Sequence, residues 1–197
     1  MPNDTPFRVA LGVVFAALAV VRTYYQIQAR RSGPATQLES PLNVALRAIG
    51  GLAAFAILIL YLVRPELLGW ASLALPAWLR WLGAPLGVAG VLLLAWVHQE
   101  LGRNFSGTLQ LRAEHTLVTT GPYRRVRHPM YTAFFCVVLS FFLLSANWLI
   151  GAIFIGGLSA VMISRVSKEE RVMADKFGAE YQAWAAHTGR FLPRPRA

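Results

Sequence analysis

From Met130 to Ser164 the chain runs for 35 residues without an Asp, Glu, Lys or Arg. As one straight helix this run would be about 50 Å long, against a bilayer core of about 30 Å. It must therefore fold back once, and Ala146-Asn147-Trp148 is the polar, turn-like place in it to do so. Only 14% of the whole chain is charged, against about a quarter in a typical soluble domain. A soluble globular enzyme and a disordered tail are excluded. So is a disulfide-stapled domain, because the one cysteine, Cys136, lies inside the apolar run and has no partner in the chain. The pattern predicts an integral membrane protein.

Three further apolar segments precede the hairpin. The first runs from about Phe7 to Gln28, with Arg8 and Arg22 able to snorkel from its ends. It is followed by Arg22 and two tyrosines rather than a small-residue cleavage site, so it reads as a span and not as a signal peptide. The second runs from about Leu42 to Val63, entered at Ser40-Pro41 and left before Arg64-Pro65. The third is roughly Trp81 to Val97. Between the last two, Trp70, Trp78 and Trp81 with Pro76 suit a stretch lying along the headgroups. The expected fold is all-α: a membrane helical bundle of about five transmembrane helices plus a C-terminal amphipathic helix. It forms a single membrane domain, 1–197, with spans one to three in 1–97 and the chemistry-bearing half in 98–197.

Basic residues outnumber acidic ones, 19 to 9. Of the 19, 16 fall between spans one and two, between His98 and Pro129, or after Ser164; only Arg8, Arg64 and Arg80 fall on the other side. By the positive-inside rule the N-terminus is outside and the C-terminus cytoplasmic, most simply in the plasma (inner) membrane. This distribution accounts for the basic excess without nucleic acid. Small residues recur at close-packing spacing, Gly83 and Gly87 in span three and Ala152, Gly156 and Ala160 in span five, and are expected at helix contacts.

Polar residues gather in two stretches, Leu101–Ala133 and Glu169–Pro193, and the hairpin returns both to one membrane face. Gly121-Pro122-Tyr123 reads as a turn. His128-Pro129 reads as a helix entry, since proline suits the first turn. Arg124, Arg125 and Arg127 alone would pass as topological anchors. In the tail, Met173, Phe177, Tyr181 and Trp184 are spaced as one apolar helical face, which by itself suggests an interfacial helix. Glu169 and Glu170 open that helix, and adjacent residues point about 100° apart, so one can face the bundle and the other solvent or a basic partner. The four histidines have no metal-ligand spacing, and no metal site is expected. No Walker loop, dinucleotide fingerprint or nucleophile elbow is present.

Taken together, the two stretches resemble the isoprenylcysteine carboxyl methyltransferase family, including its small bacterial and archaeal members. The resemblance rests on Leu101-Gly102-Arg103, Ser106, His115, Leu117-Val118, Gly121-Pro122-Tyr123 and Val126-Arg127-His128-Pro129 with Tyr131. After the hairpin it continues in Glu169-Glu170, Phe177-Gly178, Tyr181, Arg190 and Pro193. It covers the C-terminal half. One departure is Ala133, where the family usually has glycine. The resemblance implies a methyltransferase using S-adenosylmethionine, with S-adenosylhomocysteine as product. Tyr123, His128, Pro129, Tyr131, Glu169 and Glu170 would bind the cofactor, and Arg127, His128 and Glu170 would be catalytic. The partners implied are a lipophilic small molecule or lipidated substrate and membrane lipid; the oligomeric state is left open. Two other readings stand beside it: a membrane reductase akin to sterol reductases, and a non-catalytic membrane protein that keeps the fold.

Overall fold

A computed structural model describes residues 4–31, 36–37, 40–102, 110–111 and 116–194. Six α-helices carry the architecture: α1 (Thr5–Arg31), α2 (Pro41–Val63), the short α3 (Ala77–Trp81), α4 (Gly83–Leu101), α5 (Pro129–Ser145) and α6 (Trp148–His187). Short 3-10 helices at Pro65–Ala71 and Gly121–Arg124 join them, and Thr36–Gln37 pairs antiparallel with Gln110–Leu111. Among the described residues four helical stretches are long and apolar enough to cross a membrane: Thr5–Ala29, Pro41–Val63, Ala77–Leu101 and α6. The fifth expected span, α5, has 17 residues. That is about 25 Å of helix, a little short of a bilayer core.

What α5 lacks in length it has in burial. Ala133, Val137, Phe141 and Leu144 form the centre of the core, with Leu11, Leu58, Leu94 and Ile150 packed around them. The small residues of α4 explain how close the backbones come. A Cβ at Gly83 or Gly87 would collide with Leu144 or Ser140, and one at Gly90 with Val137 and the backbone of Ala133. Close approach of this kind is what holds helices together where lipid removes the hydrophobic drive. The second small-residue series behaves otherwise: Ala152, Gly156 and Ala160 are exposed, and a Cβ at Gly156 would meet nothing. Their spacing is right, but among the described residues no helix packs against Gly156.

The hairpin turns where its polar residues are. Ala146 adopts a left-handed conformation, φ 46° and ψ 43°, and Asn147 caps α6 by accepting the Ile150 N–H at 3.2 Å. The Asn147 amide also donates to the Leu68 carbonyl at 2.9 Å, so the interfacial stretch after α2 is fastened over the turn. Trp70 packs against Trp148 there. On the same face Arg80 is not a free interfacial cation. Its guanidinium pairs with Asp4 at 2.6 Å, donates to the Leu144 carbonyl at 2.9 Å and lies over the Phe7 ring. It pins the start of α1 to α3 and to the end of α5.

The expected separate tail helix is instead continuous with the last span. α6 runs 40 residues, broken only by non-helical backbone at Gly178 (φ 50°, ψ −123°). Arg165 to Phe177 contains no helix breaker, so nothing stops the span from extending beyond the membrane as a stalk. Glu169 and Glu170 therefore sit in mid-helix rather than at a helix start, and no N-terminal dipole acts on them.

Candidate active site

Four pieces of chain converge at the face where α4 ends and α5 begins: the Gly121–Arg124 turn, the His128 entry to α5, the α6 stalk, and a terminal strap, residues 188–194. The turn is held against α4 by Glu100, which accepts the Thr120 hydroxyl at 2.6 Å and the Trp96 indole N–H at 3.2 Å. Gly121 must be glycine for two reasons. Its φ is +53°, and a Cβ would run into Glu100. The strap then runs parallel to 125–128: the Arg127 N–H donates to the Gly189 carbonyl at 2.8 Å and the His128 N–H to the Arg190 carbonyl at 3.0 Å. Thr132 Oγ1 donates to the Phe191 carbonyl at 2.6 Å.

Both glutamates turn inward, and each meets its own cation. Glu169 receives Arg165 at 3.0 Å and the Tyr131 hydroxyl at 3.1 Å. Glu170 pairs with Arg190 through both carboxylate oxygens, lies 3.2 Å from His128 Nε2, and has Arg127 at 3.6 Å. His128 Nδ1 is 3.6 Å from Glu169, so the imidazole sits between the two carboxylates. Burial pushes the His128 pKa below its ordinary 6.5 despite the two carboxylates, so the ring is neutral at pH 7. For Glu170, burial acts to raise the pKa, but Arg190, His128 and Arg127 together outweigh it and hold the carboxyl below its usual range. Burial, with Glu169 behind it, raises the Tyr123 phenol, which stays protonated.

These groups line a small cavity of about 70 Å³. Tyr123, Arg127, His128, Glu169 and Glu170 reach it, and Met173, Tyr181 and Trp184 form its apolar side. Phe177, expected on that face, is not in the lining. The Trp184 indole donates to the Tyr123 carbonyl at 3.2 Å and ties the end of α6 back to the turn. Tyr131 acts from behind, through Glu169. Pro129 is buried at the start of α5 and faces the opposite side of the segment. Ala133 is wholly buried in the core beside Gly90, so its extra methyl is absorbed by the α4–α5 contact rather than by the cavity. Arg103, Ser106 and His115 lie outside the described residues.

Sequence reasoning passed over Arg165 and Glu100, and quoted Arg190 without a role. Arg165 was readable, being four residues before Glu169 on a helix. Glu100 and Arg190 act across long separations, 20 residues in each case. No local pattern marks them.

Residues 83–175, which is α4 through most of the α6 stalk, match the family model of the isoprenylcysteine carboxyl methyltransferase (ICMT) family. Over these residues the chain is similar to that family. It is 32% identical over 114 residues to the protein-S-isoprenylcysteine O-methyltransferase of Saccharomyces cerevisiae, covering 57% of this chain and 48% of that protein. It is 31% identical over 94 residues to a probable protein-S-isoprenylcysteine O-methyltransferase of Oryza sativa subsp. indica, covering 47% and 49%. The chain thus spans about half the length of the curated relatives it matches. Its fold is similar to a solved structure described as the eukaryotic intramembrane Ras methyltransferase ICMT, with a TM-score of 0.64 at 20% identity over 96% of this chain and 68% of that one. With four helical stretches long and apolar enough to cross a membrane among its described residues, and this fold, it is an integral membrane protein built of helices.

Proposed function

We propose that this chain is an S-adenosylmethionine-dependent methyltransferase that acts on a lipophilic acceptor at the cytoplasmic face of the plasma membrane, N-terminus out and C-terminus in. The observation that carries this reading is the convergence of Arg127-His128 with Glu169-Glu170 on one cavity, in a chain similar to a methyltransferase family over residues 83–175.

The residues present fit the cofactor. The fit is one of lining chemistry: the space itself, about 70 Å³, is below the roughly 300–1,000 Å³ of small-molecule sites, so binding requires the lining to open. Buried carboxylates suit its ammonium and sulfonium, while Tyr123, Met173 and Trp184 offer a dry wall for adenine. When bound, it supplies a methyl group on a positively charged sulfur. Every other contribution belongs to the chain. Arg127 is placed to orient a carboxylate, and His128, neutral at pH 7, can take a proton from an amine or neutral thiol acceptor. An acceptor that is already anionic needs no base. The apolar end of α6 excludes water, and rigid placement of the reacting partners accounts for most of the rate.

A lipophilic acceptor exposes about 0.8 kcal/mol for each CH₂ that leaves the bilayer, so it reaches the site from the membrane while the cofactor enters from the cytosol. The test is methyl transfer from labelled S-adenosylmethionine to a panel of lipophilic acids, thiols and amines of graded chain length. Transfer that rises with chain length and disappears in Glu170→Gln supports the reading. Equal turnover of short and long acceptors, or none of any class, contradicts it.

A further inference from the structure

On the far side of the 126–129 segment from the cavity lies a second, larger space of about 510 Å³ that no step above uses. Its walls are Leu93 and Trp96 of α4, Val126 and Pro129, and Phe191 and Leu192 of the strap. Trp96 is 50% and Leu192 70% exposed, so the groove opens outward at the level where α4 leaves the bilayer. Below it, Val88 and Leu92 continue the exposed stripe of α4 one turn at a time. At its mouth stand Arg124 and Arg125, which also line a polar depression with His187 and Arg194.

The two arginines differ from those around the cavity. Arg127, Arg165 and Arg190 each face a glutamate. Among the described residues, neither Arg124 nor Arg125 is paired with a carboxylate, and no Asp or Glu lines either space. An apolar groove at headgroup depth, continued by a lipid-facing stripe and topped by two unpaired guanidiniums, has the chemistry of one amphiphile. We propose that it binds an anionic phospholipid, with the phosphate between Arg124 and Arg125 and an acyl chain along Leu93 and Leu192.

The occupant is not the methyl acceptor. Val126 and Pro129 face the groove while Arg127 and His128 face the cavity, and the strap is bonded along the segment between them. Among the described residues the two linings have no residue in common. The lipid does bear on the site through the strap: Phe191 lines the groove and stacks near the His128 ring, and Arg190 beside it holds Glu170. Lipid bound in the groove therefore braces the element that completes the cavity.

The experiment reads lipid binding directly, so its outcome does not depend on whether methyl transfer occurs. The whole chain is placed in nanodiscs of equal parts phosphatidylglycerol and phosphatidylcholine, released, and weighed by native mass spectrometry with its retained lipids. Wild type should keep phosphatidylglycerol over phosphatidylcholine on the order of tenfold, the scale of two basic residues at an anionic surface. Arg124→Gln with Arg125→Gln should bring the ratio near one, while the charge-matched pair Arg47→Gln with Arg171→Gln keeps it. Leu192→Asp, on an exposed side chain that the fold does not need, should abolish phosphatidylglycerol retention by setting a carboxylate in the groove. No preference in wild type, equal loss in both double variants, or full retention in Leu192→Asp overturns the proposal.

Discussion

Glu170 has three cationic or proton-donating neighbours drawn from two separate parts of the chain, Arg127 and His128 from one and Arg190 from the other. Arg190 is nearly half exposed, so solvent screening leaves that pair a modest contribution, whereas His128 and Arg127 are largely enclosed. Replacing the carboxylate by Gln should destabilise the chain by roughly 1–3 kcal/mol, the cost of losing charged hydrogen bonds inside a partly buried network. Arg190→Gln should cost less. Thermal unfolding in detergent checks the order, and a larger effect of Arg190→Gln would contradict it. The pH dependence follows from the same groups. His128 and Glu170 both bind protons less readily in the folded chain than in the unfolded one. Their contribution is present above their ordinary pKa values and is lost as the pH falls through the folded ones. Tm should therefore be flat above about pH 7, decline below 6.5 as His128 charges, and decline again below 4.5 as Glu170 protonates. His128→Gln should remove the upper step. A Tm that is constant or rising from pH 7 to 4 would contradict this account.

At the scale of elements, two glycines at positive φ shape the site, and they should respond differently to the same substitution. At Gly178 (φ 50°) a Cβ meets nothing, so Ala there should cost only backbone strain, about 1–3 kcal/mol. At Gly121 the same strain is joined by collision with Glu100, whose carboxylate anchors the turn to α4. Gly121→Ala should therefore lower Tm more than Gly178→Ala and also disturb the cavity lining at Tyr123; equal effects would mean that Glu100 yields freely. The elements differ in how legible they were. The hairpin turn could be read at Asn147 because its side chain has one obvious use, capping a helix. The length of α6 could not, because the polar residues after Ser164 looked like a new beginning, while in a helix polarity changes the environment and not the backbone. The role of Arg80 was not legible either, because its partner Asp4 lies 76 residues away.

At the scale of the molecule, composition and the long apolar run were enough for a helical membrane bundle, and the family motifs were enough to bring Arg127-His128 and Glu169-Glu170 together. The strap and Glu100 were not legible, since both work by contacts between distant segments. The bundle separates two faces. Arg64, Glu66 and the Arg80–Asp4 pair lie on one, and the cavity with its paired and unpaired arginines on the other. In a Cys136→Ala background, a cysteine at Glu66 should react with an impermeant maleimide added to intact cells, and one at Glu180 should not. The reverse pattern would invert the proposed orientation. The cavity is the core of the account, and calorimetry tests it most directly. Titrating S-adenosylmethionine and S-adenosylhomocysteine into the nanodisc-embedded chain should give binding at one site, weakened roughly 5- to 150-fold in both Glu170→Gln and Tyr131→Phe if each removes a buried hydrogen bond. No binding to wild type, or wild-type affinity in both variants, would place the cofactor somewhere other than between His128 and the two glutamates.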